Sequence, residues 1–205
     1  MEPSEHIIII GRQYGSGGRR LGKFLAADLG IPYYDKELLH EAASSLGIRA
    51  DLFEMADERR RSKFASMISA NYGASSYFSS GAMHDGTLYQ MQSDVIRRLL
   101  EKGPCVIVGR TADYIGRDLP HLVSLFLHAD KPVRIKRTLE RMPDMEEREA
   151  DSWLDRQDSR RQDYYNYYTG RKWGHASNYD ICINTSKLTV EQTADIVKLF
   201  LRSRQ

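Results

Sequence analysis

Glycines and arginines follow directly after an apolar run near the start of the chain. The run Ile7–Ile10 leads into Gly11–Gly22, which reads GRQYGSGGRRLG. Backbone N–H groups of a glycine-rich turn can converge on an anion, and the N-terminus of a following helix adds partial positive charge. The segment therefore predicts a phosphate-binding loop made by residues 15–18 together with Arg19 and Arg20.

This loop lacks the lysine of the usual nucleotide-binding motif, G-x-x-x-x-G-K-[ST]. When residues 15–17 are laid on the last turn of that motif, Gly18 falls at the lysine position, and Arg19 and Arg20 follow. An arginine supplies positive charge, but as a planar fork rather than a compact ammonium group. The alternative interpretation is a plain strand-to-helix turn whose glycines serve only tight packing.

Composition places the chain among single-domain globular proteins. Its 205 residues are 41% hydrophobic and 28% charged, and the formal net charge is +2. That charge gives no basis for a nucleic-acid or membrane partner. Because no apolar run reaches bilayer length and the first residues are charged, we expect neither a membrane-spanning segment nor a signal peptide. Cys105 and Cys182 fall in predicted interior strands, so we expect reduced, buried cysteines and a cytoplasmic protein.

Apolar runs alternate with amphipathic patterns along the chain. Strands are predicted at 7–10, 31–34, 105–108, 122–128 and 179–183. Helices are predicted after the first glycine loop, after Asp35, over 85–102, from Lys131 to a break at 142–144, after that break, and after Thr189. Gly30 is the expected C-cap of the first helix, and Thr189 with Gln192 forms a capping box on the last. Ile196, Leu199 and Phe200 are expected to bury that last helix. The alternation predicts an α/β fold in which helices cover both faces of a five-stranded parallel sheet.

Polar residues stand just past two of these strands, where open α/β sheets bind ligands. Asp35 follows the second strand, and Arg110 with Asp113 follows the third. Arg110 could bind a phosphate as a bidentate donor. The alternatives are a helix cap for Asp35 and a surface salt bridge for Arg110.

Arginines recur on two consecutive predicted helices. The first carries Arg134, Arg137 and Arg141 at helical spacing, and the second carries Asp155, Arg156, Asp158, Arg160 and Arg161. Facing each other, the two helices would form a cationic lid, and ordinary surface charge pairing is the alternative. Residues 48–84 are polar, and the small-residue stretch 69–81 suggests an insert that covers substrate.

The order of these motifs resembles the cytidylate kinase-like branch of the P-loop nucleoside monophosphate kinases. The resemblance rests on residues 11–19, 32–37 and 108–110, on Asp158 with Arg161, on Tyr164, Tyr165 and Trp173, and on residues 179–185. It implies a three-layer P-loop NTPase fold with a core at 5–47, 85–130 and 178–205. It further implies a helical nucleoside monophosphate-binding insert at about 48–84 and a helical lid at about 131–177.

The resemblance also implies roles for individual residues. Gly15, Ser16, Gly17, Gly18, Arg19 and Arg20 would hold the ATP phosphates, with Asn184, Thr185 and Ser186 near the adenine. Asp35, Arg110 and Asp113 would face the acceptor. Arg19, Arg156, Asp158, Arg160 and Arg161 would carry catalysis. The implied activity is transfer of the ATP γ-phosphoryl group to CMP or dCMP with Mg²⁺, and the partners are small nucleotides.

Two alternatives remain open. Gly18 at the lysine position, and Val108 where cytidylate kinases carry the aspartate of an Asp-Gly-Arg triplet, suggest a nucleotide-binding regulatory module with little or no catalysis. The aromatic and serine-rich stretch at 71–81 suggests a small-metabolite kinase on the same scaffold.

Overall fold

The apolar runs form one parallel sheet, which confirms the predicted fold class. A computed structural model of the protein describes residues 5–35 and 85–204. The strands are β1 (Ile7–Arg12), β2 (Tyr33–Tyr34), β3 (Val106–Val108), β4 (Leu122–His128) and β5 (Ile181–Asn184). The predicted insert at 48–84, and the helix expected after Asp35, lie outside the described residues.

β1 occupies the centre of the sheet. The strand order is β2-β3-β1-β4-β5, and every neighbouring pair is parallel. Ile10 pairs with Val108 of β3 on one side and Leu125 of β4 on the other. Because parallel strands end at the same edge, the loop that leaves β1 emerges between the ends of β3 and β4.

Helices pack on both faces of this sheet. They are α1 (Gly18–Leu29), α2 (Asp85–Glu101), α3 (Ala112–Ile115), α4 (Lys131–Leu139), α5 (Glu147–Thr169) and α6 (Val190–Arg202). Alternate isoleucines of β1 face opposite layers, as period-2 strand geometry requires. Ile8 and Ile10 join the core formed with α1 and α6, whereas Ile7 and Ile9 pack with α2.

The two cysteines differ in environment. Cys105 is buried just before β3, whereas Cys182 is exposed on β5, and both are free thiols. β5 is the edge strand of the sheet and pairs only with β4. The expectation of two buried cysteines is therefore right for Cys105 and wrong for Cys182, because the apolar pattern of a strand does not reveal its place in the sheet.

The last helix is capped as predicted but buries a different face. Thr189 and Gln192 form both hydrogen bonds of the capping box. Ala194, Val197 and Leu201 are buried, whereas Ile196 and Leu199 are exposed, so the predicted apolar stripe was wrong for those two residues. Both stripes have helical spacing, and contact with α1 decides which one faces inward.

Among the described residues, the helices are too short or too polar to cross a bilayer.

The two leucines near the end of α6 provide a matched test of its orientation. Leu201 is 5% exposed and Leu199 is 69% exposed. We expect Leu201→Ala to lower the free energy of unfolding by about 2–4 kcal/mol, since it leaves a cavity in the core. Leu199→Ala makes the same chemical change on the same helix and should cost under about 0.5 kcal/mol. Urea denaturation measures both, and equal losses would contradict this orientation of α6.

Candidate functional site

The carboxyl ends of β1 and β3 open into a cleft of about 1860 Å³. The loop after β1 and the start of α1 form its floor, and the turn after β3 forms one side. The charged face of α5 and the start of α6 complete the walls. The cleft therefore lies where the sheet topology places ligands.

The loop between β1 and α1 has the backbone of an anion cradle. Gly15 and Gly17 have φ values of 78° and 90°, and α1 begins at Gly18, so its N-terminus points at the cleft. A side chain at Gly15 would collide with the backbone and Cβ of Arg134, whereas Gly17 has open space around its Cα. Glycine is thus needed at Gly15 for close packing and at Gly17 for backbone conformation.

Asp158 fixes the loop from behind. Its Oδ1 accepts a hydrogen bond of 2.7 Å from the Tyr14 backbone N–H, and its Oδ2 accepts one of 2.6 Å from Arg134. Arg161 lies 3.4 Å from the same carboxylate. Asp158 is not among the residues that line the cleft. The Asp158 carboxylate on α5 therefore links α4 to the loop after β1, and it lies beneath the surface of the cleft.

Thr185 supports the loop from the other side. Its hydroxyl donates to the carbonyl of Ser16 at 2.8 Å, and Arg137 donates to both the Thr185 hydroxyl and its carbonyl. Thr185 is buried and lines the cleft. The structure thus places Thr185 against the loop backbone.

Asn184 and Ser186 point away from this contact. The Ser186 hydroxyl bonds Asn184 Oδ1 at 2.6 Å and accepts from the Asp130 backbone N–H at 2.7 Å. Neither residue is among those that line the cleft. Of the three residues expected near the adenine, only Thr185 reaches the cleft.

Asp35 lies at the end of β2, beside the start of α1. It is 3% exposed, accepts a hydrogen bond from the Tyr33 hydroxyl at 3.1 Å, and lies 3.6 Å from Arg19 Nε. Asp35 does not line the cleft, whereas Arg19 does. The structure therefore joins Asp35 to the site through Arg19.

The turn after β3 holds a strained backbone at the cleft. Gly109 has a φ of 87°, and the next two residues, Arg110 and Thr111, have φ values of 61° and 56°. Left-handed conformations at residues other than glycine cost about 1–3 kcal/mol each and concentrate at functional sites. Arg110 lines the cleft, with its guanidinium 6.0 Å from the ring centre of Tyr164.

Asp113 lines the same side of the cleft but is largely buried. Its Oδ2 accepts a hydrogen bond of 2.7 Å from the Tyr165 hydroxyl. Burial raises the pKa of Asp113 above its ordinary value, and the Tyr165 hydrogen bond opposes that rise only in part. Asp113 is therefore a carboxylate whose charged form is costly in the absence of ligand.

Arginines of the second helix of the predicted lid line the opposite wall. Arg156, Arg160 and Arg161 lie on α5, which packs against α4, and all three line the cleft. Burial lowers the pKa of Arg161, and neighbouring arginines add to the effect. Lys131 of α4 pairs with Asp151 and Asp155 of α5, at 2.7 and 2.9 Å, and Asp155 also lines the cleft.

Arg12 is a site residue that the sequence interpretation missed. It ends β1, and its side chain crosses the floor of the cleft from the loop to Gly109. Burial, followed by the charges of Arg161, Arg19 and Arg110, lowers the pKa of Arg12 to about 9. The sequence offered one clue to this role, which is glycine at both positions 18 and 109. In the structure these two glycines leave room for the long Arg12 side chain, which starts on β1.

The loop does not reproduce the magnesium ligand of the usual nucleotide-binding motif. Arg19 stands where the usual motif has its magnesium-binding hydroxyl, and the described residues hold no group of three acidic, histidine or cysteine ligands. The floor of the cleft consists of turn glycines, a helix N-terminus and arginines, a combination that suits anionic groups such as phosphate.

Comparison with known proteins identifies the family of the chain. The family model described as the cytidylate kinase-like family matches residues 7–187. The chain belongs to the cytidylate kinase-like family. It is 26% identical over 190 residues to a cytidylate kinase from Methanosarcina barkeri, with 92% of each protein covered. The family relationship supports phosphotransferase activity of a general kind.

Solved structures share the fold. An uncharacterized protein from Eubacterium ventriosum has a TM-score of 0.73 and is 31% identical, covering 97% of this chain and 99% of the other. A shikimate kinase from Bacteroides thetaiotaomicron has a TM-score of 0.55 at 14% identity, covering 96% of this chain and 98% of the other. The second likeness shows that this architecture is a P-loop kinase fold.

The Asp158 contacts predict a large stability difference between two aspartates of α5. Asp158→Asn removes the counter-ion of the buried Arg134, so we expect it to lower the free energy of unfolding by about 3–5 kcal/mol. Asp155→Asn breaks an exposed contact with Lys131 and should cost under about 1 kcal/mol. Denaturant titration of both variants measures the difference. Similar small losses would show that Asp158 does not hold the loop.

Proposed function

We propose that this protein transfers the γ-phosphoryl group of ATP to a nucleoside monophosphate, with CMP or dCMP as the leading acceptor. The observation that carries the proposal is the distribution of arginines around one glycine loop. They come from the end of β1, the start of α1, the turn after β3 and one face of α5, and they all line a single cleft. Two phosphate-bearing substrates would supply the negative charge that such a cleft requires.

We assign each residue a proposed role from its position around the cleft. Residues 15–18 and Arg20 hold the donor phosphates, and Thr185 keeps the loop in shape from below. Arg110, on the strained turn, binds the acceptor phosphate. Arg156, Arg160 and Arg161 neutralise charge on the group in transfer, and Asp158 orients Arg161 through their contact.

Chemistry at this site needs positioning and charge neutralisation more than covalent catalysis. An oxygen of the acceptor phosphate attacks the γ-phosphorus in line, and the bond from that phosphorus to the bridging β,γ-oxygen breaks. ADP leaves with the electron pair. Because the attacking oxygen already carries negative charge at neutral pH, the transfer requires no strong general base.

A second candidate, a kinase for a hydroxyl-bearing metabolite, is favoured by Asp113. A hydroxyl acceptor must lose a proton, and Asp113 is a cleft-lining carboxylate with a raised pKa. The Tyr165 hydrogen bond already occupies one of its oxygens. We rank the nucleoside monophosphate kinase first because arginines from several parts of the fold line the cleft, whereas the metabolite kinase is supported by Asp113 alone.

An ADP-release assay with ATP and Mg²⁺ tests the proposal against a panel of nucleoside monophosphates. We expect turnover with CMP or dCMP. Arg110→Met should raise the acceptor KM by about 10- to 100-fold, the effect of losing one charge-assisted contact, and should leave the ATP KM within about twofold.

The matched control is Arg97→Met, since Arg97 lies on the exposed face of α2 and pairs with Asp94. Turnover only with hydroxyl-bearing acceptors would favour the metabolite kinase. ATP binding without turnover on any acceptor would favour a regulatory module.

A further inference from the structure

We propose that Arg12 replaces the missing P-loop lysine, and that its guanidinium binds the terminal phosphate of a polyphosphate held on the glycine loop. The inference deepens the proposed function and rests on it only for the identity of that polyphosphate as ATP. The sequence interpretation assigned the positive charge of the missing lysine to Arg19 and Arg20. The present proposal assigns that charge to Arg12, at the end of β1.

The path of the Arg12 side chain is the first argument. A Cβ placed on Gly18 would lie 2.9 Å from both Cβ and Cγ of Arg12. A Cβ placed on Gly109 would lie 3.0 Å from Arg12 Cζ and would collide with Nη1. The side chain therefore passes beside the lysine position of the motif and ends at the turn after β3.

This path also explains why no lysine stands at position 18. A lysine there would start in the space that the Arg12 stem occupies, and the near end of a side chain cannot swing aside cheaply. Arg12 and a lysine at position 18 are thus alternative ways to deliver one positive charge to the same part of the cleft. This chain uses the one that begins on the strand.

The second argument is electrostatic. Arg134 and Arg161 contact Asp158, and Arg19 lies beside Asp35. Within the described part of the chain no ion pair joins Arg12 to a carboxylate, and its pKa is lowered by burial and by three other arginines. Arg12 stays protonated at neutral pH, so its positive charge is both buried and close to other positive charges. A bound polyphosphate would balance it.

The other basic residues of the region are committed elsewhere. Lys23 points along α1, with its ammonium 5.9 Å from the ring centre of Tyr33, and it does not line the cleft. Arg20 lies near Arg137 and Glu191, toward the start of α6. Arg12 is the residue whose guanidinium reaches from the loop toward the turn that carries Arg110.

The direct test is calorimetric binding of ATP and of inorganic tripolyphosphate to three variants. Arg12→Met keeps the length of the stem and removes the charge, so we expect the affinity for both probes to fall by about 10- to 100-fold. Arg12→Lys should stay within about tenfold of the unchanged protein, because it keeps the charge. Arg97→Met should bind as the unchanged protein does. Unaltered tripolyphosphate binding by Arg12→Met would overturn the proposal.

Stability without ligand separates phosphate binding from a purely structural role. Removing one of several crowded positive charges should leave the melting temperature of Arg12→Met unchanged or higher, while the stabilisation by tripolyphosphate shrinks. A clear drop in the ligand-free melting temperature, with full stabilisation by tripolyphosphate, would make Arg12 a structural residue and contradict the proposal.

A charge-relocation experiment tests the equivalence with lysine. Gly18→Lys alone should weaken tripolyphosphate binding, since it clashes with Arg12, and Arg12→Gly alone should weaken it by loss of charge. The double variant Arg12→Gly/Gly18→Lys should recover affinity to within about tenfold of the unchanged protein. A folded double variant that binds no better than Arg12→Gly would refute the equivalence.

The two proposals fail in different ways. If the unchanged protein phosphorylates no acceptor but binds tripolyphosphate in an Arg12-dependent manner, the kinase proposal fails and the assignment of Arg12 stands. If the protein turns over nucleoside monophosphates and Arg12→Met does so equally well, the assignment of Arg12 fails alone.

Discussion

Crowding of positive charge around one loop is the constraint on which this site depends. Burial lowers the pKa of Arg12, and the nearby charges of Arg161, Arg19 and Arg110 each lower it further. Like charges in a partly desolvated cleft oppose folding unless anions balance them. The protein balances part of this charge with Asp158 and Asp35, both placed outside the cleft surface. Among the described residues, no carboxylate forms an ion pair with Arg12, and a polyphosphate in the cleft would balance its charge.

The backbone around the cleft makes room for these arginine side chains. Gly15 allows the loop to press on Arg134, and Gly18 and Gly109 leave room for Arg12. The left-handed turn at Arg110 and Thr111 stores strain beside the cleft. The glycines are therefore required by close contacts with arginine side chains, whereas the left-handed backbone at Arg110 and Thr111 is a conformational cost that the protein carries beside the cleft.

Much of the fold could be predicted because its signals are local. The isoleucine run of β1, the apolar β4 and the capping box at Thr189 depend on residues close in sequence, and the structure confirms them. The exposed Cys182 and Leu199 could not be predicted, because strand order and helix rotation depend on contacts between distant elements. The arginine-rich cleft follows from motif and topology together. The position of Arg12 does not, because its side chain crosses from β1 to β3.

The most direct measurement is a crystal structure of the protein with a non-hydrolysable ATP analogue. We predict that an oxygen of the terminal phosphate lies within about 2.7–2.9 Å of the Arg12 guanidinium, the usual length of a charge-assisted hydrogen bond. The Tyr14 N–H should remain bonded to Asp158. A terminal phosphate bound away from Arg12, or an Arg12 side chain turned out of the cleft, would contradict the claim that unbalanced arginine charge defines this site.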